Sequence, residues 1–558
     1  MSGGPTPPGE PFGDWVAGPP TPPAKGSRAR VVLLGIVALI LSVAVVGVGL
    51  LPRAEAPAVG ADRPDGVDVV IAGTAPITWD PARAGDAGTA STLAQVYEGL
   101  TAFDAESEVR PALAASWDLS DDGRQLTFQL RDGITFSDGS PITSDDVVAS
   151  WLRLIDPQRP GPLASLLSDV TGAAAYLRGE VGRDGVGIRA RGASVVVEFR
   201  RPSAYFVTVT ASPSLAIVPP AATGGRDGRA LPEDATWSGA YIPVEQSDSS
   251  IRLEANQRYW AGPPALDVIE LLTDTGGASS VALFEQERVD HIGVRADDAS
   301  WIRYDETLGP QLRFAESFSV DLYGFDTLEP PFDDPTIRRA FAQAVDWDRI
   351  VQLSDPGSEP ATSLIPTGIP GRGAEDFSVA HDPDAARAAL VAAGYPGGQG
   401  FPAVTLASYG LAYDGAVASE LERELDIDVE VEVRPFAEYT TLLDRDPPQF
   451  WTLSWIADYP QPQDFLGLLL ETGSSSNESR WSHAEFDAAL EAAAATEDAE
   501  EQEEHFATAQ RIVQSEVPLI PVSYGESWAL SRTGLLGAQE SGVGFIRFAG
   551  LAWEDGRP

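Results

Sequence analysis

The residues best suited to binding stand together in Ile456-Ala457-Asp458-Tyr459-Pro460-Gln461-Pro462, directly after an apolar run from Phe450 to Trp455 that reads as a strand. Open α/β sheets take ligands beyond the carboxyl ends of their strands, and this run sits at such an end. A carboxylate beside aromatic rings suits a cationic or amphipathic ligand. Asp458 also has a plainer use, capping or hydrogen-bonding a Pro-rich turn, and position alone leaves both open. Covalent chemistry has few candidates. The chain has no Cys, so it has no disulfide, thiolate zinc site, iron–sulfur cluster or thiol nucleophile. Its only Lys is Lys25, upstream of the first apolar run, which removes phosphate-loop, Schiff-base and kinase-type lysines from the folded part. His291, His381, His483 and His505 are too widely spaced for an HExxH zinc site, and neither GxSxG nor GxGxxG occurs. Asp118, Ser120, Asp122 and Gly123 imitate the first half of a calcium loop, but its twelfth position falls on Gln129, so a turn is expected. No metal and no cofactor is expected.

The elements around these residues follow from periodicity and caps. Val67 to Ile71 reads as a strand, and Thr89 to Leu100 as a helix with Leu93, Val96, Tyr97 and Leu100 on one face. Trp117 and Leu119, a turn at Asp121-Asp122-Gly123, and alternating Leu126, Phe128 and Leu130 predict a hairpin. A helix from Thr143 to Leu154 follows, capped by Thr143 or Ser144. In the C-terminal half, Asp334-Pro335 and Asp382-Pro383 each start a helix, and Gly394 ends the second. Strand Val404 to Ala407, a helix around 414 to 425 and strand Ile427 to Val433 compose a βαβ unit. Ser482 with Glu485 predicts a capping box, and Thr496 the cap of a further helix.

With 558 residues, the chain holds three or four domain-sized units, and 43% hydrophobic with 22% charged residues is ordinary globular usage. Lys and Arg number 38 against 83 Asp and Glu, a net charge of −45 that repels nucleic acid and anionic lipid, so no nucleic-acid partner is expected. Val31 to Leu51 runs 21 residues without a charge, long enough to span a bilayer core of about 30 Å. Lys25, Arg28 and Arg30 precede it and only Arg53 follows closely, which places the N-terminus in the cytoplasm and the bulk of the chain on the extracytoplasmic side of the cell membrane. Ala56-Pro57-Ala58 resembles a signal-peptide cleavage site, but a run this long favours a retained single-pass anchor. Residues 1–30 read as a disordered tail and residues 52–66 as a linker.

From residue 67 to about 550 the chain resembles the family 5 extracellular solute-binding proteins, which include the oligopeptide- and dipeptide-binding proteins of ABC importers. The resemblance is carried, in order, by Trp79-Asp80-Pro81, Tyr97-Glu98-Gly99-Leu100, the segment from Arg110 to Trp151, Gly239-Ala240-Tyr241, and the segment from Leu253 to Asp267. PPFDDPTIRRAFAQAVD from Pro330 and SWIADYPQPQDFL from Ser454 complete the series. The resemblance implies an α/β, two-lobed flytrap fold with an extra subdomain in the first lobe. It divides the chain into a first lobe at 67–107 and 201–312, the extra subdomain at 108–200, a second lobe at 313–523 and a return to the first lobe at 524–558. Hinges are expected near 310–325 and 515–530.

In peptide-binding members an extended peptide is held mainly through its backbone. The resemblance gives Asp458 the peptide's N-terminal amine, puts Trp455, Ile456 and Tyr459 beside it, and has Gly85 to Thr89, with Ala87 at the centre, face it from the first lobe. Where some members carry an Arg for the peptide's carboxylate this chain has Thr452, so that recognition is lost. Asp326 replaces a usual Asn and adds a negative charge that favours cationic ligands if it lies near the cleft. The expected partners are a peptide or other small solute, ABC permease subunits, and the membrane through residues 31–51. Rival readings are an oligosaccharide or other solute, with Trp79, Trp117, Trp237, Trp451, Trp455 and Trp481 available for stacking, a ligand sensor, and a carboxylate-pair hydrolase that no motif supports.

Overall fold

The computed structural model describes residues 64–219, 228–233, 235–355, 357–496 and 498–556. The expected tail, membrane span and most of the linker lie outside the described residues. Among those described, no helix is long and apolar enough to cross a membrane.

The described residues are built on an eleven-stranded sheet whose two long strands, Leu312–Phe325 and Leu519–Ser531, run side by side and join its halves. On one side lie His291–Val294, Val69–Ala72, Val268–Leu272, Ser250–Ala255 and Tyr241–Gln246, and on the other Phe450–Ile456, Val404–Ser408 and Val429–Val433. This is the two-lobed α/β architecture. Each half has its own apolar core: Trp79, Val96, Tyr241 and Leu253 in the first, and Phe325, Phe341, Leu406 and Phe450 in the second. The long strands lose register between Glu316 and Val320, where Ser317 to Ser319 bulge opposite Gly525. A side chain at Gly525 would begin 2.2 Å from Ser319 Oγ, so the close crossing requires glycine.

A separate four-stranded sheet, ordered Ala114–Leu119, Gln125–Leu130, Ser194–Glu198 and Ile188–Arg191, forms a subdomain on the first half. The expected hairpin turns at Gly123, whose φ of 65° suits glycine. Helix Ser144–Leu154 starts on a reciprocal box between Thr143 and Asp146. Val404–Ser408 and Val429–Val433 pair in parallel across helix Asp414–Leu425, the expected βαβ unit.

Two caps differ from expectation. Ser482 bonds Thr472 instead of opening a helix, and the imidazole Nδ1 of His483 accepts the Phe486 N–H at 3.3 Å. Asp498 caps Ala499–Glu516 by taking the N–H groups of Glu500 and Glu501, because a carboxylate two residues after Thr496 accepts both at once.

Candidate functional site

Strand Phe450–Ile456 pairs along one edge with Leu312–Phe325, from Ser319 opposite Ile456 to Phe325 opposite Phe450. Its other edge pairs only through Phe450 and Trp451, with Leu406 and Ala407. The Tyr439 hydroxyl ends that ladder, donating to Thr452 O at 2.6 Å and accepting the Thr452 N–H at 3.1 Å. Beyond Thr452 no described strand covers the edge, and Leu453 to Asp458 form one wall of a cavity of about 270 Å³.

The facing wall is Gly85, Asp86, Ala87 and Ala90 at the start of helix Ala87–Val96, with Tyr409, Phe436 and Phe545 closing the sides. Asp86 caps this helix, accepting the Thr89 N–H at 2.9 Å through Oδ1. A side chain at Gly85 would begin 2.8 Å from the Pro162 ring, so the entry to the helix must be bare.

Ala87, Trp455, Ile456 and Asp458 therefore line one cavity. Helix Pro462–Leu470 positions Trp455 and Asp458 through Asp464, which is fully buried. Asp464 Oδ2 accepts Trp455 Nε1 at 2.7 Å, and Oδ1 accepts the N–H groups of Asp458 at 3.1 Å and Tyr459 at 3.3 Å. No described residue hydrogen-bonds the Asp458 carboxyl itself, whose remaining surface faces the cavity.

Burial pushes the Asp458 carboxyl up to about 7. Asp464 is raised well above the usual carboxylate range, first by burial and then by the charge of Asp458, while its N–H donors pull the other way. Burial therefore raises both carboxyls, and three N–H and ring donors oppose the rise at Asp464 while no described group opposes it at Asp458.

Two expected ligand contacts are corrected. Tyr459, 2% exposed, turns away from the cavity and stacks on Tyr205 of the subdomain, ring centroids 6.0 Å apart. Asp326 is 1% exposed and tied to Arg480, whose Nε donates at 2.9 Å. It follows Phe325, which lies opposite Phe450, so it stands at the far end of the strand, roughly 20 Å from Ile456 at 3.3 Å per residue, and does not line the cavity. Thr452 is likewise outside, fully buried with its hydroxyl on Leu322 O. Of the six tryptophans, Trp455 alone lines the cavity, while Trp79, Trp237, Trp451 and Trp481 are core.

The sequence reading included Asp86 in the facing segment Gly85 to Thr89 without giving it a role, and missed Tyr409, Phe436 and Phe545. For Asp86 a signal existed, an acid just before a helical run. The aromatics come from two distant segments that carry no local mark.

These features are those of a two-lobed α/β protein with a cavity between its lobes. Residues 108–477 match the family described as "Bacterial extracellular solute-binding proteins, family 5 Middle". The chain belongs to that family, whose members bind and do not catalyse.

It is similar to the Escherichia coli protein named "Probable deoxycholate-binding periplasmic protein YgiS", 29% identical over 80% of this chain and 86% of that protein. It is also similar to the Bacillus subtilis dipeptide-binding protein DppE, 25% identical over 86% of this chain and 90% of that one. The fold matches that of Haemophilus influenzae OppA in complex with the peptide RPPGFSPFR at a TM-score of 0.78 and 23% identity, covering 88% of this chain and 99% of that one. The Escherichia coli murein tripeptide-binding protein MppA matches at 0.77, and its unliganded open form at 0.62.

Proposed function

We propose that this chain is the extracytoplasmic receptor of an ABC-type importer and captures short peptides between its lobes. One observation carries the reading: past Thr452 no described strand pairs with the edge, where only the Tyr409 hydroxyl reaches Ser454, and the strand leads to a carboxylate, Asp458, with no hydrogen-bond partner among the described residues. An extended peptide adds to such an edge as a strand, and its terminal ammonium supplies the missing charge. Peptide binding by DppE and the peptide in the OppA complex support the reading. The volume falls just below the 300–1,000 Å³ usual for small-molecule sites, which favours short ligands. Deoxycholate, named for YgiS, is an anion; it would meet Asp86 and Asp458 with no cation among the lining residues.

The lobe boundaries expected from the sequence are part of this reading, with the bulge at Ser317 to Ser319 and the crossing at Gly525 as the hinge. So is the anchor at residues 31–51, which would hold the receptor beside its permease. Mass spectrometry of ligand released from the purified chain tests the function, with intact short peptides expected; sugars or bile acids would overturn it. Protease added to intact cells should leave a small protected N-terminal fragment, and a soluble mature chain starting near Val59 would overturn the anchor.

A further inference from the structure

On the second lobe's side, the cavity described above is walled by aromatic rings as well as by the strand edge. Tyr409 directly follows strand Val404–Ser408, and its hydroxyl reaches Ser454, two residues beyond Thr452, where Tyr439 ends the ladder. Phe436 opens helix Phe436–Arg445, and Thr440, one turn on, lines the cavity from the same helix face. The rings of Tyr409 and Phe436 meet edge to face with centroids 5.4 Å apart, and Tyr409 backs onto the buried Tyr439 at 5.5 Å. The pair is anchored from behind, yet Phe436 stays 52% exposed. A large ring left half in water on the wall of a binding cavity gains by being covered, and what the cavity admits is a ligand side chain. Asp458 lies four residues beyond Ser454, about 13 Å along an extended chain, so the rings and the carboxylate serve different parts of a ligand.

We propose that Phe436 and Tyr409 form a side-chain subsite that selects short peptides whose third residue is large and apolar. This rests on the peptide reading above. A peptide with its ammonium at Asp458 runs back along the edge, antiparallel to strand Phe450–Ile456. Its first residue then stands opposite Ile456 and its third opposite Ser454, and opposite residues of an antiparallel pair put their side chains on one face. The Ser454 hydroxyl is turned to Tyr409, so the third side chain goes to the rings. The Tyr409 hydroxyl already stands at Ser454, so the backbone ladder ends there and the third residue is held by its side chain instead.

The test is calorimetry on the full-length protein with Ala-Ala-Phe, Phe-Ala-Ala and Ala-Ala-Ala, which share the terminal ammonium and differ in where a ring stands. Ala-Ala-Phe should bind about tenfold or more tightly than Ala-Ala-Ala, as for the burial of a ring, and Phe-Ala-Ala should gain much less. Phe436→Ala should remove most of the Ala-Ala-Phe advantage, and Phe436→Leu, which keeps an apolar surface, should retain most of it. Phe436 is half exposed, so neither substitution opens a core. Equal affinities of Ala-Ala-Phe and Ala-Ala-Ala, an equal gain for Phe-Ala-Ala, or an advantage that survives Phe436→Ala would overturn the subsite and leave the peptide reading standing. Failure of all three peptides to bind would overturn the peptide reading and this inference with it.

Discussion

The lobes meet in two places, and the two treat charge in opposite ways. At the subdomain contact, Glu471 accepts from Arg201 Nη1 at 3.1 Å and Nη2 at 3.0 Å and from Arg200 at 2.9 Å, while both arginines also reach the buried Asp169. Tyr205 donates to Asp169 at 2.6 Å and stacks on Tyr459, so the contact is closed by protein groups alone. At the cavity, Asp86 and Asp458 face each other's lobe without a cation. The chain has only 38 basic residues for 83 acidic ones, and the arginines go to buried structural acids: Arg547 to Glu98, Arg480 to Asp326, Arg153 to Asp80. Acids that hold the fold are paired with Arg or, like Asp464, with several neutral donors, whereas the Asp458 carboxyl has no hydrogen-bond partner among the described residues.

Removing the charge at the cavity should have the largest effect. Asp458→Asn leaves a peptide's ammonium buried and unpaired, at a cost of about 2 to 5 kcal/mol, roughly 30-fold or more in affinity. N-acetylated peptides should lose little, having no charge to pair. Calorimetry with the four combinations of protein and peptide reads the difference, and equal affinities for free and acetylated peptides in the unmutated protein would remove Asp458 from the site.

The same carboxyl should make binding depend on pH. Its neutral form cannot pair with an ammonium, and burial raises it to about 7, so affinity should rise as pH rises through that value. Above about 8 the peptide's own ammonium is lost, giving an optimum between the two. From pH 7.5 to 5.5 the loss should be on the order of tenfold or more, and a flat profile across that range would contradict the unpaired state of Asp458.

At the subdomain contact the effect moves from ligand to protein. Arg201→Ala leaves Asp169 and Glu471 to Arg200 alone, and should cost about 2 kcal/mol of stability, less than breaking an isolated buried pair because Arg200 remains. Denaturant unfolding measures this, and small-angle scattering of the ligand-free variant should show a larger radius of gyration. If neither changes, the contact does not hold the lobes together. The smallest effect belongs to the peptide's other end. Amidating its C-terminus should not weaken binding, since no lining residue is cationic, and a marked loss would reveal a carboxylate partner outside this cavity.

Local chemistry alone was enough to specify many elements. Asp334-Pro335 and Asp382-Pro383 start their helices because a carboxylate accepts the first free N–H groups and Pro gives up a bond that position never makes. The βαβ unit at 404–433 was equally legible, since alternation and helical spacing follow from which side chains leave water. The end of a buried strand pointed to the loop around Asp458, but position left that residue open as a turn cap, and the ligand roles of Asp458, Trp455 and Ile456 came from the family resemblance.

Which acids face a ligand was not local. Asp326 and Asp458 both follow apolar strands of the same sheet, yet Arg480, 154 residues away in sequence, neutralises the first and nothing neutralises the second. Tyr459, next to Asp458 in the bend beyond the strand, stacks on Tyr205 and leaves the cavity lining to its neighbour. Asp86 reads in sequence as a helix cap and is one; only the tertiary structure sets it in the lining of the same cavity as Asp458. The sequence by itself determined the elements and the surplus of acid. The tertiary structure decided which carboxylates remain unpaired, because pairing depends on distances between segments hundreds of residues apart.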